Sequence, residues 1–204
     1  MNDDPAQTIT YFGYGSLVNL QTLQTSYISA RSATLYGWKR VWLSRPQMEG
    51  SFAPFAGLAF LSVRPCEGMH LEGMLVEDHL SSLPSLDQRE ALYNRVELPS
   101  SAVHLTDEDS APANKTYLYV AYSENLPSGE PPKILRSYLD AVFQGYLHHF
   151  GEGALTRFVE TTDNFRLEVL EDRDAPIYPR SVVCSPTELA LFDCVVPRGG
   201  LINT

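Results

Sequence analysis

The residues best suited to chemistry lie in two stretches. The first is the run from Thr8 to Leu17, where Tyr11-Phe12-Gly13-Tyr14-Gly15-Ser16-Leu17 follows Thr8-Ile9-Thr10. Ile9 to Phe12 are β-branched or aromatic and suit a strand. Gly13 and Gly15 bracket a tyrosine, and glycine tolerates positive φ and lets a ligand approach the backbone. Leu17, Leu20 and Leu23 then share one helical face, which predicts a short helix over 18–27. Strand, glycine turn and helix start in this order present free backbone N–H groups to an anion such as a carboxylate or phosphate. A tight turn that holds no ligand uses the same residues. The third glycine of a dinucleotide fingerprint is missing and position 18 is Val18, and no Gly-Lys-Ser/Thr of a phosphate loop follows. Ser16 does not sit in the Gly-x-Ser-x-Gly elbow of a serine nucleophile.

The second stretch holds Glu90. It follows Leu86-Asp87-Gln88-Arg89 and precedes Ala91-Leu92-Tyr93-Asn94-Arg95. Ser85 and Gln88 have capping-box spacing after Pro84, which predicts helical turns over 86–91. Alternation then predicts a strand over 92–98, so Glu90 lies where a helix runs into a strand. By pattern alone it is a helix-end carboxylate paired with Arg89 or Arg95. A carboxyl group at such a junction can also carry a proton to and from a substrate. The five histidines, among them His70, His79, His104 and the pair His148-His149, lack metal-ligand spacing. Cys66 near His70 lacks the second pair a zinc site needs. Asp107-Glu108-Asp109 reads as a solvated charge run.

The elements around these residues are predicted in turn. Residues 1–7 form a loose tail. Strands cover 33–44, 57–63 as far as Pro65, 70–76 with Gly73 at a bulge or close contact, and 116–122. The Pro/Gly-bearing stretches 45–56 and 123–132 read as loops, the first a possible flap. Residues 99–114 read as an exposed excursion. From Lys133 onward, Ile134, Leu135, Tyr138, Leu139, Val142, Phe143, Tyr146, Leu147 and Phe150 make one apolar helix face, with Arg136 and Asp140 opposite it at i and i+4. Gly151 and Gly153 end that helix. Another helical turn covers 155–160, and Val182-Val183 add a last strand. With no repeat and no linker, residues 8–204 read as one α+β domain built on a mixed, curled or barrel-like sheet with a few packed helices.

The chain has 204 residues and a formal net charge of -10, which argues against nucleic acid or an anionic membrane as its main partner. A local positive site within it still accepts a small anion. No apolar run reaches membrane-spanning length, and the polar start is neither signal nor transit peptide. Three cysteines, Cys66, Cys184 and Cys194, are odd in number and widely spaced, which fits a reducing compartment, by default the cytoplasm.

Taken in order, these stretches resemble the γ-glutamylcyclotransferase family. Tyr-Phe-Gly-Tyr-Gly-Ser-Leu resembles its signature loop. Leu71-Glu72-Gly73-Met74-Leu75 and Leu86-Asp87-Gln88-Arg89-Glu90 look like its middle strand and the helix carrying its catalytic glutamate. Ser137-Tyr138-Leu139 resembles the site of its substrate-contacting tyrosine, and Pro176-Ile177-Tyr178-Pro179-Arg180 a C-terminal motif of bacterial members. Ala91 stands where many relatives have glycine. The resemblance implies cyclisation of a γ-glutamyl amino acid, amine or peptide to 5-oxoproline with release of the amine, a carbon–nitrogen lyase or acyltransferase type of reaction. It implies Glu90 as the catalytic group and Tyr11, Phe12, Gly13, Tyr14, Gly15, Ser16, Leu17 and Tyr138 as substrate-binding residues. The loop amides would hold the donor's α-carboxylate or the oxyanion. No metal or cofactor is required, the partner is the small γ-glutamyl substrate, and the chain is a monomer or homodimer. Other readings are a γ-glutamyl-ligand-binding or acyl-transfer protein on the same fold that does not cyclise, and an interaction protein without a small-molecule site.

Overall fold

Ile9, Tyr11 and Phe12 are all buried although neighbouring strand residues point to opposite faces, so the strand they form is covered on both sides. This strand, β1 (Thr8–Gly13), lies inside the sheet of a computed structural model that describes residues 7–45, 57–106, 114–122 and 131–196. The other strands are β2 (Ser29–Ser44), β3 (Ala59–His79), β4 (Tyr93–Leu98), β5 (Val103–Leu105) and β6 (Thr116–Ala121), and the sheet runs β4-β6-β1-β3-β2-β5. β1 is antiparallel to β3 and parallel to β6, so the sheet is mixed. With four helices among the described residues, α1 (Leu83–Arg89), α2 (Arg136–Phe150), α3 (Gly153–Thr161) and α4 (Pro186–Val195), the architecture is α+β as the sequence pattern predicts. A short parallel pair, β7 (Ile134–Leu135) and β8 (Val169–Leu170), leads into α2. No described helix is long and apolar enough to cross a membrane. The expected tail (1–7) and flap (45–56), and the loop at 123–132, fall almost wholly outside the described residues, as does Asp107-Glu108-Asp109.

Several local expectations change in the folded chain. The helix expected over 18–27 is replaced by two 3-10 turns, Ser16–Val18 and Leu20–Thr22. Asn19 sits between them and its amide donates to Ala141 O at 2.9 Å and Gln144 Oε1 at 3.0 Å on α2, which draws the chain away from a continuous helix. The strands expected on either side of Pro65 are one irregular strand. Tyr36 pairs with His70 and Trp38 with Pro65, so Gly37 alone faces 66–69. Gly73 is in regular register and is needed for close packing against Phe12, not for a bulge. Helix α1 starts earlier than expected, at Leu83, with Pro84 in its first turn, where its missing N–H costs nothing, and no side chain caps it. Part of the expected excursion is β5, whose Val103 and Leu105 are buried against β2.

The C-terminal third departs furthest. Val182-Val183 is not a strand. Helix α4 begins with a Ser185/Glu188 capping box and Pro186 in its first turn. It covers the polar side of α2, so Arg136 and Asp140, expected at the surface, are 0% and 5% exposed. Their charges are met within this layer. Arg173 holds Asp140 through two bonds of 2.7 and 2.8 Å and Asp193 at 2.7 Å, and Arg136 donates to Val196 O at 2.9 Å. A large aromatic core lies between α2, α3, α4 and the sheet, with Phe143 edge-on to both Phe158 and Phe192.

Candidate active site

The glycine turn reaches its place because the turn and helix α2 each leave room for the other. Neither Gly13 nor Gly15 has positive φ; what position 15 requires is space. A Cβ at Gly15 would stand 2.7 Å from the Tyr138 hydroxyl on α2. On the same helix a Cβ at Gly145 would stand 2.7 Å from Asn19 N. A small residue at each point therefore lets loop and helix meet. The Tyr138 hydroxyl thus sits directly against the glycine turn. Arg40, 3% exposed, locks the turn from behind by donating to Tyr14 O at 3.2 Å while its guanidinium lies over the Tyr146 and Phe158 rings.

Glu90 arrives from the other side. It is the C-cap residue of α1, with its N–H bonded to Leu86 O at 3.0 Å, and its side chain is 14% exposed. Arg89 is its ion-pair partner at 3.0 Å, while Arg95 pairs with Asp87 at 2.7 Å. The same Arg89 donates to Thr22 O at 2.7 Å and to Ser16 Oγ at 3.4 Å, tying the end of α1 to the glycine turn. Burial pushes the Glu90 carboxyl above its ordinary 4.5, and the opposing pull of Arg89, Arg180 and Arg45 does not cancel that effect.

A cavity of about 200 Å³ brings Ser16, Glu90 and Tyr138 together with Tyr93, Tyr178 and Arg180. A smaller adjoining pocket is lined by Phe12, Tyr14, Gly15 and Leu17, and by Glu90 and Tyr138 again. Two expected substrate-binding residues lie elsewhere. Tyr11 points to the opposite face of β1, as strand alternation requires, and lines a separate pocket behind the turn with Leu23 and Thr25. Gly13 lines none of these cavities and packs on Leu17. Tyr14 uses its hydroxyl on Tyr119 O at 2.7 Å, and Tyr93 uses its own on Leu61 O at 2.7 Å. Both phenols, like that of Tyr138, are raised by burial and stay protonated.

The arrangement thus joins a carboxyl whose pKa burial raises, a tyrosine hydroxyl set against the glycine turn, and the backbone of that turn beside them. Among the described residues no group of three or more His, Cys, Asp and Glu side chains is placed to hold a metal ion. Solved structures share this arrangement of elements. One described as a gamma-glutamyl cyclotransferase matches with a TM-score of 0.56 at 15% identity, over 92% of this chain and 99% of its own. The chain has the γ-glutamylcyclotransferase fold. An uncharacterized protein from Homo sapiens gives 0.55 at 15% identity over 91% and 98% of the two chains. YkqA from Bacillus subtilis gives 0.53 at 15% identity over 78% of this chain and 56% of its own. No family model and no curated protein matches the sequence.

On this γ-glutamylcyclotransferase fold, Tyr93, Tyr178, Arg45 and Arg180 line the cavity without any signal in local periodicity. The motif around Tyr178 was visible in the sequence; its place was not. Asp172 determines that place: it accepts from Ser137 N at 2.7 Å at the uncapped start of α2 and from Ile177 N at 2.9 Å. Tyr178 then packs edge-on to Tyr138, ring centroids 5.0 Å apart.

Proposed function

We propose that the chain is a γ-glutamylcyclotransferase that converts γ-glutamyl compounds into 5-oxoproline and a free amine or amino acid. The observation that carries the reading is Glu90, a buried carboxyl with a raised pKa in one cavity with Ser16 and Tyr138. In the reaction the donor's α-amino nitrogen attacks its own γ-carbonyl carbon, a C–N bond forms, and the old amide C–N bond breaks. The nucleophile arrives with the substrate, so the site has only to hold the donor folded. Glu90 takes the proton that the amine must lose and returns it to the leaving nitrogen, and a raised pKa favours the second step. The Tyr138 hydroxyl, set against the glycine turn, donates to the carbonyl oxygen as negative charge builds on it. The remaining loop, Phe12, Tyr14, Gly15 and Leu17, shapes the side of the cavity that receives the glutamyl moiety. A reducing compartment, the cytoplasm, belongs to the same proposal and is supported by the unpaired Cys66, Cys184 and Cys194.

The test is 5-oxoproline release from γ-glutamyl amino acids, γ-glutamylamines and glutathione. Turnover of at least one donor, abolished in Glu90→Gln, is the expected result. Donor binding by calorimetry with no 5-oxoproline from any donor would favour a non-catalytic γ-glutamyl-binding protein instead.

A further inference from the structure

The carbonyl of Tyr14 lies between two buried donors. Arg40 Nε, from β2, donates to it at 3.2 Å, and the Tyr146 hydroxyl, from α2, lies 3.0 Å away. The phenol has one proton to share between Tyr14 O and Glu72 O, so Arg40 is the firmer partner. Arg40 Nη2 also donates to Glu72 O on β3 and to the Tyr146 hydroxyl, and the guanidinium rests on the Tyr146 and Phe158 rings. One side chain thus ties the turn to β3 and α2. The planar fork of a guanidinium spans these acceptors, and the compact ammonium of lysine does not.

Holding that carbonyl decides where the next N–H points. No described peptide bond is cis, and in a trans peptide the C=O and the following N–H point in opposite directions. Arg40 and Tyr146 line neither of the two adjoining cavities. Tyr14 O therefore faces the protein interior, and the Gly15 N–H faces the other way, toward the small pocket that Gly15 lines with Glu90 and Tyr138. No hydrogen bond among the described residues uses that N–H. The clamp matters because residue 15 is glycine. A flip of the Tyr14–Gly15 peptide would carry the Gly15 φ from -125° into the positive range, which glycine tolerates. Donors at Tyr14 O oppose that flip, and by polarising the peptide they strengthen its N–H as a donor.

Given the cyclotransferase reading above, every donor brings an α-carboxylate to this site. We propose that Arg40 is a positioning residue: it fixes the Tyr14–Gly15 peptide so that the Gly15 N–H takes the α-carboxylate of the donor. Arg40 itself touches no part of the donor and acts through the peptide in front of it. Tyr138, which serves the carbonyl oxygen, lines both cavities, whereas Gly15 lines the smaller one alone. The reacting carbonyl thus belongs where the cavities join, and the α-carboxylate belongs beyond it, against Gly15.

The experiment compares γ-glutamylalanine with 4-aminobutanoylalanine, the same donor without its α-carboxylate. The first cyclises to 5-oxoproline and the second to 2-pyrrolidinone, each with release of alanine. The ratio of kcat/KM for the two donors is compared between wild type and variants, so the intrinsic reactivity of the two amines divides out. The ratio is expected to fall about tenfold in Arg40→Met, to recover in part in Arg40→Lys, and to fall about 2- to 3-fold in Tyr146→Phe. The loss should appear in KM for γ-glutamylalanine more than in kcat. Damage to the fold alone lowers both donors together and leaves the ratio as it was. An unchanged ratio in folded Arg40→Met overturns the proposal; should that variant not fold, wild-type ratios in both Arg40→Lys and Tyr146→Phe overturn it. If neither donor yields a lactam, the cyclotransferase reading fails on its own. Calorimetry with 5-oxoproline and 2-pyrrolidinone then decides the clamp without turnover. Wild type should prefer the acid, and the variants should lose that preference. Equal affinity of wild type and variants for 5-oxoproline, or no binding of it to wild type, rejects the clamp.

Discussion

The layer beneath α4 and the cavity both bury charge, and they do so in different ways. Beneath α4, Arg173 is gripped by Asp140 and Asp193, and Arg136 lies against Glu171 and Asp193. Charges there are met by opposite charges at short range, as a buried ionic layer must be if it is not to destabilise the fold. In the cavity, Glu90 has one close ionic partner, Arg89, and burial still leaves its pKa raised. The first region neutralises its charges and serves packing. The second keeps a carboxyl whose pKa burial raises, in reach of a substrate, which is what proton transfer needs.

The sharpest way to break this comparison is Glu90→Gln. The substitution keeps size and much of the hydrogen bonding but cannot carry a proton, and kcat for 5-oxoproline release should fall by roughly 10² to 10⁴. Stability should hold or rise near neutral pH. A folded-state pKa raised above 4.5 means that the stability Glu90 contributes is present below that value and is lost as pH rises through the raised one. Melting curves across that window should therefore slope for wild type and flatten for the variant. Wild-type release from folded Glu90→Gln protein would remove Glu90 from the mechanism.

Next in size is the ionic layer. Arg173→Ala leaves Asp140 and Asp193 without their best partner and should cost about 3 kcal/mol in denaturant unfolding. Well below the melting temperature the variant should keep the wild-type pH profile, because no part of that layer lines the cavity. A shifted profile would show that the two regions are coupled.

Arg89→Ala sharpens the distinction from the other direction. Arg89 lowers the Glu90 pKa, so its loss lets burial act unopposed by the nearest cation. The acidic limb of kcat/KM should begin above the ordinary 4.5 in wild type and move further up in the variant. An acidic limb that stays in place in Arg89→Ala would mean that a group other than Glu90 is titrating. The smallest effect is expected for Tyr138→Phe, which removes one neutral hydrogen bond and should lower kcat about 2- to 10-fold with the ring packing on Trp42 and Tyr178 retained. Unchanged kcat and donor affinity would make Tyr138 a packing residue only.

The sequence by itself determined the parts governed by neighbours along the chain. The β-branched and aromatic run into Gly13 makes β1, the alternation from Tyr93 makes β4, and the apolar stripe from Leu139 to Phe150 makes α2. Glu90 at a helix-to-strand junction was legible for the same reason, and the Ser185/Glu188 capping box that starts α4 is a local pattern of the same kind. Tertiary structure alone decided the rest, because burial is a property of what packs on a residue and not of its neighbours in sequence. It buried Arg136 and Asp140 under α4, turned Tyr11 away from the cavity, and set Ser16 against Tyr138 where Gly15 leaves room. It also carried Tyr178 and Arg180 to Glu90 through Asp172, a contact between residues far apart in the chain that no local pattern encodes. Burial raises the pKa of Glu90, so the property that suits it to catalysis exists only once the chain has folded around it.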